Sequence, residues 1–395
     1  MMRVGIVWWC LAMGAAAACG CGAPSVPSCR QACDVAGGVQ QGQAGRAAVE
    51  AGRREVAMEA QLRAAAERAG DPPPRKVIVV TFCHAMYGPY PGLRTRCEEL
   101  QALIDRGVQQ SRQRYGRGPD LIVLPEFALT DTGRPAGEAA MPPDGEGVSF
   151  FRDVARQLGA YLVVPLVTRV GGDVYNSAVL LGRDGRTVGR YDKVHVCPDE
   201  PPATTFEGGT TPGKGYPVFD CDFGRLGLQI CFDYAFEEGW RELRRQGAEL
   251  VAWPTQSPSV AIAAARAVNN RLFIVSSTWR ENASIFEPIG TLAAQITPPQ
   301  EVLVHQIDLE SRLLNWHPRL RNGAALAELY GERVGFNYYP AEDVGVFWSN
   351  DPSTPIDAMI RELGLRTHDE LRAVQTQRLE ALRRAWAAEP APPAE

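Results

Sequence analysis

Leu226-Gly-Leu-Gln-Ile-Cys231-Phe-Asp-Tyr234 is the stretch on which the reading of this chain turns. An apolar, strand-like run ends in a cysteine, and residues 237–247 beyond it carry helical patterning. That layout exposes a sulfur on a tight turn. A cysteine attacks as its thiolate, and a helix N-terminus or a nearby cation lowers its pKa. The expectation is therefore an activated thiol at Cys231, followed by a helix start. Taken alone the stretch says little, because a cysteine that ends a strand also serves as inert core.

Two upstream stretches change its weight. Glu126 closes Leu121-Ile-Val-Leu-Pro-Glu-Phe127, and Lys193 lies in Gly189-Arg-Tyr-Asp-Lys-Val-His195. A carboxylate placed after an apolar strand and a proline is partly desolvated, which raises its pKa and suits a general base. Of the 41 basic side chains only Lys76, Lys193 and Lys214 are lysines. A compact ammonium is not interchangeable with a guanidinium fork, so a lysine at 193 in an arginine-rich chain supports a chemical role. Each residue alone reads as a salt-bridged or surface group. Together, in this order and each ending an apolar run, they form a candidate acid–amine–thiol set. Glu207 is a fourth candidate, in the loop Phe206-Glu-Gly-Gly-Thr-Thr-Pro-Gly213 between Lys193 and Cys231.

Around these residues strand-like and helix-like segments alternate. Strands are expected at residues 77–82, 121–124, 161–167, 177–181, 187–194, 226–230, 250–253, 272–277 and 301–307. Helices are expected at 96–115, 150–158, 237–247 and 262–270. Arg183-Asp-Gly-Arg186 is a hairpin turn signal, and a second hairpin centres on Pro288 and Gly290. Alternating strands and helices interrupted by hairpins imply a mixed α/β sheet with helices outside.

The flanks differ in character. Arg3, an apolar run over residues 4–18 and Ala16-Ala-Ala-Cys19 read as an export signal of residues 1–18. Cys19 also fits a bacterial lipobox, which makes it a candidate membrane anchor; the exported protein would be periplasmic, membrane-anchored or secreted. Residues 19–75 read as a tether with a charged helix over 40–70, stopped by Asp71-Pro-Pro-Pro74. The main domain spans 76–308, and 309–395 form a partly helical extension. There, Trp316-His-Pro-Arg319 and Asn337-Tyr-Tyr-Pro340 suggest irregular packed structure. Thr354-Pro355 starts a short helix, and Thr367-x-x-Glu370 is a capping box for a last one. Leu371, Val374, Leu379, Leu382 and Trp386 give that last helix an apolar stripe, read either as docking on its own domain or as a subunit contact.

Composition excludes some functions. The net charge of −5 leaves no basic footprint for nucleic acid. His195 with Cys197, and His84 with Cys83, lack metal-site spacing, and Gly208-Gly209 carries no phosphate-loop fingerprint. No cofactor or metal is expected. Cys197 and Cys221 could pair in an oxidising compartment.

Glu126, Lys193 and Cys231, each at the end of a strand-like run and in that order, resemble the triad of the nitrilase superfamily of carbon–nitrogen hydrolases. The likeness extends to Gln246-Gly-Ala-Glu-Leu-Val-Ala-Trp-Pro254, to Arg266-Ala-Val-Asn-Asn270 and to Ile285-Phe-Glu-Pro-Ile-Gly290, and covers about residues 76–308. It departs at Ala235, where many members carry Arg, and at Asn269, where they carry Glu. The resemblance implies a four-layer α-β-β-α sandwich, usually dimeric, and hydrolysis of an amide, N-carbamoyl group or nitrile through a thioester on Cys231. It implies Glu126 as base, Lys193 and the backbone N–H of Phe232 as oxyanion donors, and Glu207 as an assisting carboxylate. The partner would be a small amide-like substrate. An N-acyltransferase using the same triad, or a binding protein on the same fold, are the alternatives.

Overall fold

The computed structural model describes residues 71–199, 205 and 207–388. The export signal expected over residues 1–18, Cys19, the charged helix of the tether and Phe206 lie outside them.

In chain order the strands of the main domain are β1 (Lys76–Phe82), β2 (Leu121–Val123), β3 (Tyr161–Val170), β4 (Asp173–Leu181), β5 (Thr187–Asp192), β6 (Val218–Cys221), β7 (Gly224–Leu228), β8 (Leu250–Pro254), β9 (Phe273–Ser277), β10 (Ala283–Phe286), β11 (Leu292–Ile296) and β12 (Val302–Asp308). They form two six-stranded mixed sheets, ordered β12-β1-β2-β3-β4-β5 and β11-β10-β9-β8-β7-β6. In the first sheet β1, β2 and β3 run parallel, β4 and β5 close one side as an antiparallel hairpin, and β12 lies antiparallel on the other. The second sheet repeats that pattern: β7, β8 and β9 run parallel, β10 and β11 form the hairpin, and β6 is the antiparallel edge.

Side chains of a strand alternate between faces, and both faces of each sheet are covered. In β1, Val77 and Val79 point into a seam between the sheets, where they meet Leu226, Leu228, Leu250, Ala252, Val275 and Ile285. Ile78, Val80 and Phe82 point outward against the helices Leu93–Tyr115 and Glu146–Leu158. On the second sheet Val251, Trp253, Ile274 and Phe286 point outward against the helices Glu237–Arg245 and Val260–Asn270. Double coverage explains why the parallel strands read as unbroken apolar runs. The layers are helix, sheet, sheet, helix, the four-layer sandwich the resemblance implies.

A smaller unit follows β12. β13 (Arg312–Asn315), β14 (Val334–Tyr339) and β15 (Val344–Ser349) form an antiparallel sheet ordered β13-β15-β14. Leu314, Leu326, Phe347, Met359 and Ile360 form its core. The irregular structure expected at Asn337-Tyr-Tyr-Pro340 is thus corrected, since Asn337 to Tyr339 belong to β14. Gly335 masks the pattern: a β-carbon there would sit 2.2 Å from the Trp348 ring, so the indole occupies the place of a side chain. The helix expected after Thr354-Pro355 spans Ile356–Glu362, and the last helix spans His368–Ala388. Its capping box is reciprocal, with Thr367 N–H donating to Glu370 Oε2 at 2.7 Å and Glu370 N–H to Thr367 Oγ1 at 3.2 Å. Leu371 and Val374 are half-buried, whereas Leu379, Leu382 and Trp386 are exposed.

Candidate active site

Three of the four candidate side chains stand past the end of a strand, and Glu207 lies on the loop between β5 and β6. Glu126 follows β2 by way of Leu124-Pro125 and is 1% exposed; Lys193 follows β5 and is also 1% exposed. Lys193 is held at both peptide groups, its N–H donating to Asn176 O and its carbonyl accepting from Gly213 N–H, each at 2.8 Å. Gly213 must be glycine here, because a β-carbon would come within 2.0 Å of Asp192 O. That close approach brings the Glu207 loop onto the lysine.

The carboxylates converge on the ammonium. Lys193 Nζ donates to Glu126 Oε1 at 3.2 Å and is also paired with Glu207 Oε1. Glu207 Oε1 further accepts from Cys197 N–H at 3.0 Å. Asn176 Nδ2 bridges the two acids, donating to Glu126 Oε1 at 2.9 Å and to Glu207 Oε2 at 3.0 Å. Glu126 Oε2 accepts from Gln256 N–H at 3.1 Å, and the Cys231 thiol lies beside the same carboxyl and favours its ionised form. Lys193, Glu126, Glu207 and Cys231 therefore form one connected cluster.

Cys231 has φ of 40°, a left-handed backbone that non-glycine residues adopt rarely and usually under constraint. Asp233 supplies the constraint. Fully buried, it accepts from Ile230 N–H at 2.9 Å, Tyr191 O–H at 2.8 Å and His195 N–H at 2.9 Å. Trp253 Nε1 donates to Cys231 O at 3.0 Å, and Arg266 Nε donates to Tyr234 O at 2.9 Å. The turn carrying the thiol is thus fastened on three sides.

The helix expected beyond the thiol begins at Glu237, with the 3-10 turn Cys231–Ala235 set between them. One expectation is corrected. The thiol pKa is not low. Burial and the neighbouring Glu126 push it up to about 12, and the opposing pull of Lys193 and a hydrogen bond with Thr255 does not offset them. The pKa-lowering rule presumes an α-helical dipole and an unopposed cation; here the turn is short and Lys193 faces two carboxylates. Glu126 is also raised, by burial first and by Glu207, against the pull of Lys193. Burial works against the charge of Lys193, but Glu126, Cys231 and Glu207 outweigh it and hold the amine well above its usual pKa. The resting site is a protonated thiol beside an acid that shares a lysine with a second acid.

Sequence reading missed Asn176, Asp233, Thr255 and the Gln256 N–H. Asn176 could have been found by extending the hairpin. The register pairs Ser177 with Asp192, so the residue before Ser177 faces Lys193, but a bulge between Leu180 and Leu181 shifts the count. Cys197 and Cys221 are both free thiols. Among the described residues no cluster of three or more His, Cys, Asp or Glu side chains is arranged to hold a metal ion.

The carbon–nitrogen hydrolase family profile matches residues 85–312, more than half of the chain and the span of both sheets beyond β1. The chain belongs to the carbon–nitrogen hydrolase family. It is an enzyme of the nitrilase superfamily, a carbon–nitrogen hydrolase. A nitrilase of Pyrococcus abyssi is 36% identical over 169 residues, which span 41% of this chain and 62% of the archaeal protein. A deaminated glutathione amidase of Synechocystis is 30% identical over 231 residues, 52% of this chain and 82% of that protein. A carbon–nitrogen hydrolase of Helicobacter pylori shares the fold with a TM-score of 0.51 at 22% identity, over 60% of this chain and 90% of that one. The family match thus covers the two large sheets except β1, and β14, β15 and the last two helices fall outside the matched residues.

Proposed function

We propose that the chain hydrolyses an amide of a small molecule through a thioester on Cys231. The observation that carries this reading is the convergence on Glu126. Oε1 already receives Lys193 and Asn176, while the one nitrogen donor to Oε2 among the described residues is the Gln256 N–H. A carboxylate oxygen has about two lone pairs, so Oε2 retains one for the thiol proton.

Glu126 takes that proton as the Cys231 sulfur bonds to the amide carbon, and the carbonyl π-electrons move to oxygen. Lys193 Nζ and the Phe232 N–H face the developing oxyanion; Phe232 lies in the first turn after Cys231, where N–H groups lack partners within the helix. Such donors each contribute about 100-fold or more in rate. As the carbon–nitrogen bond breaks, Glu126 returns the proton to nitrogen and ammonia or an amine leaves. Water then attacks the thioester, Glu126 accepts its proton, and the thiol is reprotonated as the acid departs. Glu207 keeps Lys193 in place and assists. A raised Glu126 pKa suits an acid that must both take and return a proton near neutrality.

An amide substrate is supported by the similarity to a deaminated glutathione amidase, with nitrile hydrolysis the alternative suggested by the archaeal nitrilase. Ammonia release from a panel of primary amides and matched nitriles, with and without hydroxylamine as acceptor, tests the reading. Amide turnover lost in a folded Cys231→Ala variant is expected. Transfer to hydroxylamine in preference to water would favour an acyltransferase.

Export and dimerisation belong to the same proposal. Residues 1–18 would be removed, Cys19 would carry lipid if anchored, and residues 19–75 would tether the hydrolase. Intact-mass analysis of protein from its native host reads the cleavage and any lipid directly. Exposed Phe236, Ile262 and Val268 on the second sheet's helical layer, with Leu379, Leu382 and Trp386 on the last helix, support a homodimer, which light scattering tests.

A further inference from the structure

We propose that Asn176 is a positioning residue for the hydrolysis: its single amide group ties Glu126 to Glu207 and keeps the base carboxyl ionised and aimed at Cys231. The inference rests on reading Glu126 as the base.

Asn176 lies in β4 and is fully buried. The two hydrogens of an amide nitrogen can serve two acceptors. Here Nδ2 lies 2.9 Å from Glu126 Oε1 and 3.0 Å from Glu207 Oε2. Two carboxylates sharing one site drive one of them to take up a proton. Lys193 offsets only one of the two charges. The groups facing Glu126 are Lys193 at the end of β5, Glu207 on its loop and Cys231 on the nucleophile turn, and of these only Lys193 favours its ionised form by charge. A hydrogen bond to a carboxylate is stronger than one to a neutral acid, so Asn176 adds to the ionised state of both acids without adding a charge.

Two further observations point the same way. The Asn176 carbonyl accepts the Lys193 N–H at 2.8 Å, so one residue registers the cation by its backbone and the acids by its side chain. Its Oδ1 is buried with no hydrogen-bond partner among the described residues. An unpaired buried acceptor is unfavourable by about 1–3 kcal/mol. An apolar residue would avoid that loss, and what it could not supply is the pair of donors. The flanks are locked as well: Ser177 Oγ donates to Asp192 Oδ1 at 2.6 Å and contacts Thr168 Oγ1 at 2.6 Å.

The test is the pH dependence of kcat/KM on an amide for the parent, Asn176→Ala, Asn176→Ser and Glu126→Gln, with thermal unfolding of each. Removing donors to the ionised acid raises its pKa. The acid limb of Asn176→Ala should therefore move up by about one pH unit or more, and its deficit should shrink as the pH rises. Asn176→Ser keeps one donor; it should shift less, and it guards against an alanine variant that does not fold. A purely structural role lowers activity equally at every pH. An unmoved acid limb in a folded Asn176 variant, beside an inactive Glu126→Gln, would overturn the Asn176 role and leave the base assignment standing. A fully active Glu126→Gln would overturn both.

Discussion

The two large sheets have the same strand pattern and contribute different chemistry. In each, three parallel strands are flanked by an antiparallel edge strand and a hairpin. The first sheet places the acid, the amide and the amine of the cluster: Glu126 after β2, Asn176 in β4 and Lys193 after β5. The second supplies the sulfur, Cys231 after β7, and the Thr255 and Gln256 groups after β8 that hold it and the acid. Corresponding positions even share a residue type. Cys83 follows β1 as Cys231 follows β7, yet Cys83 continues as a bridge to Thr278, whereas Cys231 opens a 3-10 turn on a left-handed backbone. On the proposed reading, the cysteine that serves as nucleophile is the one whose next residues form a pinned turn. No sheet alone holds an active site; face-to-face packing brings the thiol to the acid.

The most severe way to break this comparison is to remove the sulfur. Cys231→Ala should reduce amide turnover to background with unchanged circular dichroism, while Cys83→Ala should leave turnover in place. Next comes the cation. Lys193→Arg keeps the charge but not the compact point geometry, and a loss of about 100-fold or more in kcat is expected. Activity within about tenfold of the parent would make Lys193 peripheral.

Disturbing the pinned turn should follow. Asp233→Ala leaves the Ile230 and His195 N–H groups and the Tyr191 hydroxyl without their buried acceptor. At about 1–3 kcal/mol for each unpaired buried group, denaturant titration should show at least about 3 kcal/mol lost, with turnover falling as Cys231 leaves its constrained φ. Stability lost without any change in kcat would mean that the turn does not set the sulfur.

Loosening the seam between the sheets is milder for chemistry. Ile285→Ala, in the buried seam, should destabilise by about 2–5 kcal/mol and lower kcat only through the packing of one sheet on the other. The smallest effect sharpens the account without mutation. Glu126 must be ionised to act as base, and its pKa is raised by burial. Activity should therefore fall on acidification already above the ordinary glutamate range, while the Cys231 thiol, at about 12, gives no break near pH 9. An acid limb at or below the usual glutamate pKa would contradict the assignment.

The sequence showed most clearly the groups that end apolar runs. Glu126 and Cys231 stand out because buried parallel strands are apolar throughout, so a polar residue past each is conspicuous; Lys193 stands out as a lysine in an arginine-rich chain and Glu207 by its glycine-rich loop, and the structure brings those four together. Asn176 and Asp233 were hidden for opposite reasons. Asn176 sits inside a strand, and its partner across the hairpin depends on a bulge that composition does not reveal. Asp233 lies in the quoted stretch, but the acceptors it provides serve Tyr191 and His195, some forty residues earlier. The thiol's protonation was misread because local rules for a helix end and a cation omit the burial and the two acids that tertiary packing adds. The sheet of β13, β15 and β14 escaped because Gly335 and Gly345 break the alternation where aromatic rings cover the backbone.

The central claim is that the sulfur of the second sheet bonds covalently to substrate under control of the acid on the first. Acid quench during steady-state turnover of an amide, followed by digestion and mass spectrometry, tests it most directly. The account predicts an acyl mass on the peptide containing Cys231, discharged by water on continued incubation and lacking in Cys231→Ala. Full turnover in the parent with no adduct at Cys231, or with the adduct on another residue, would contradict it.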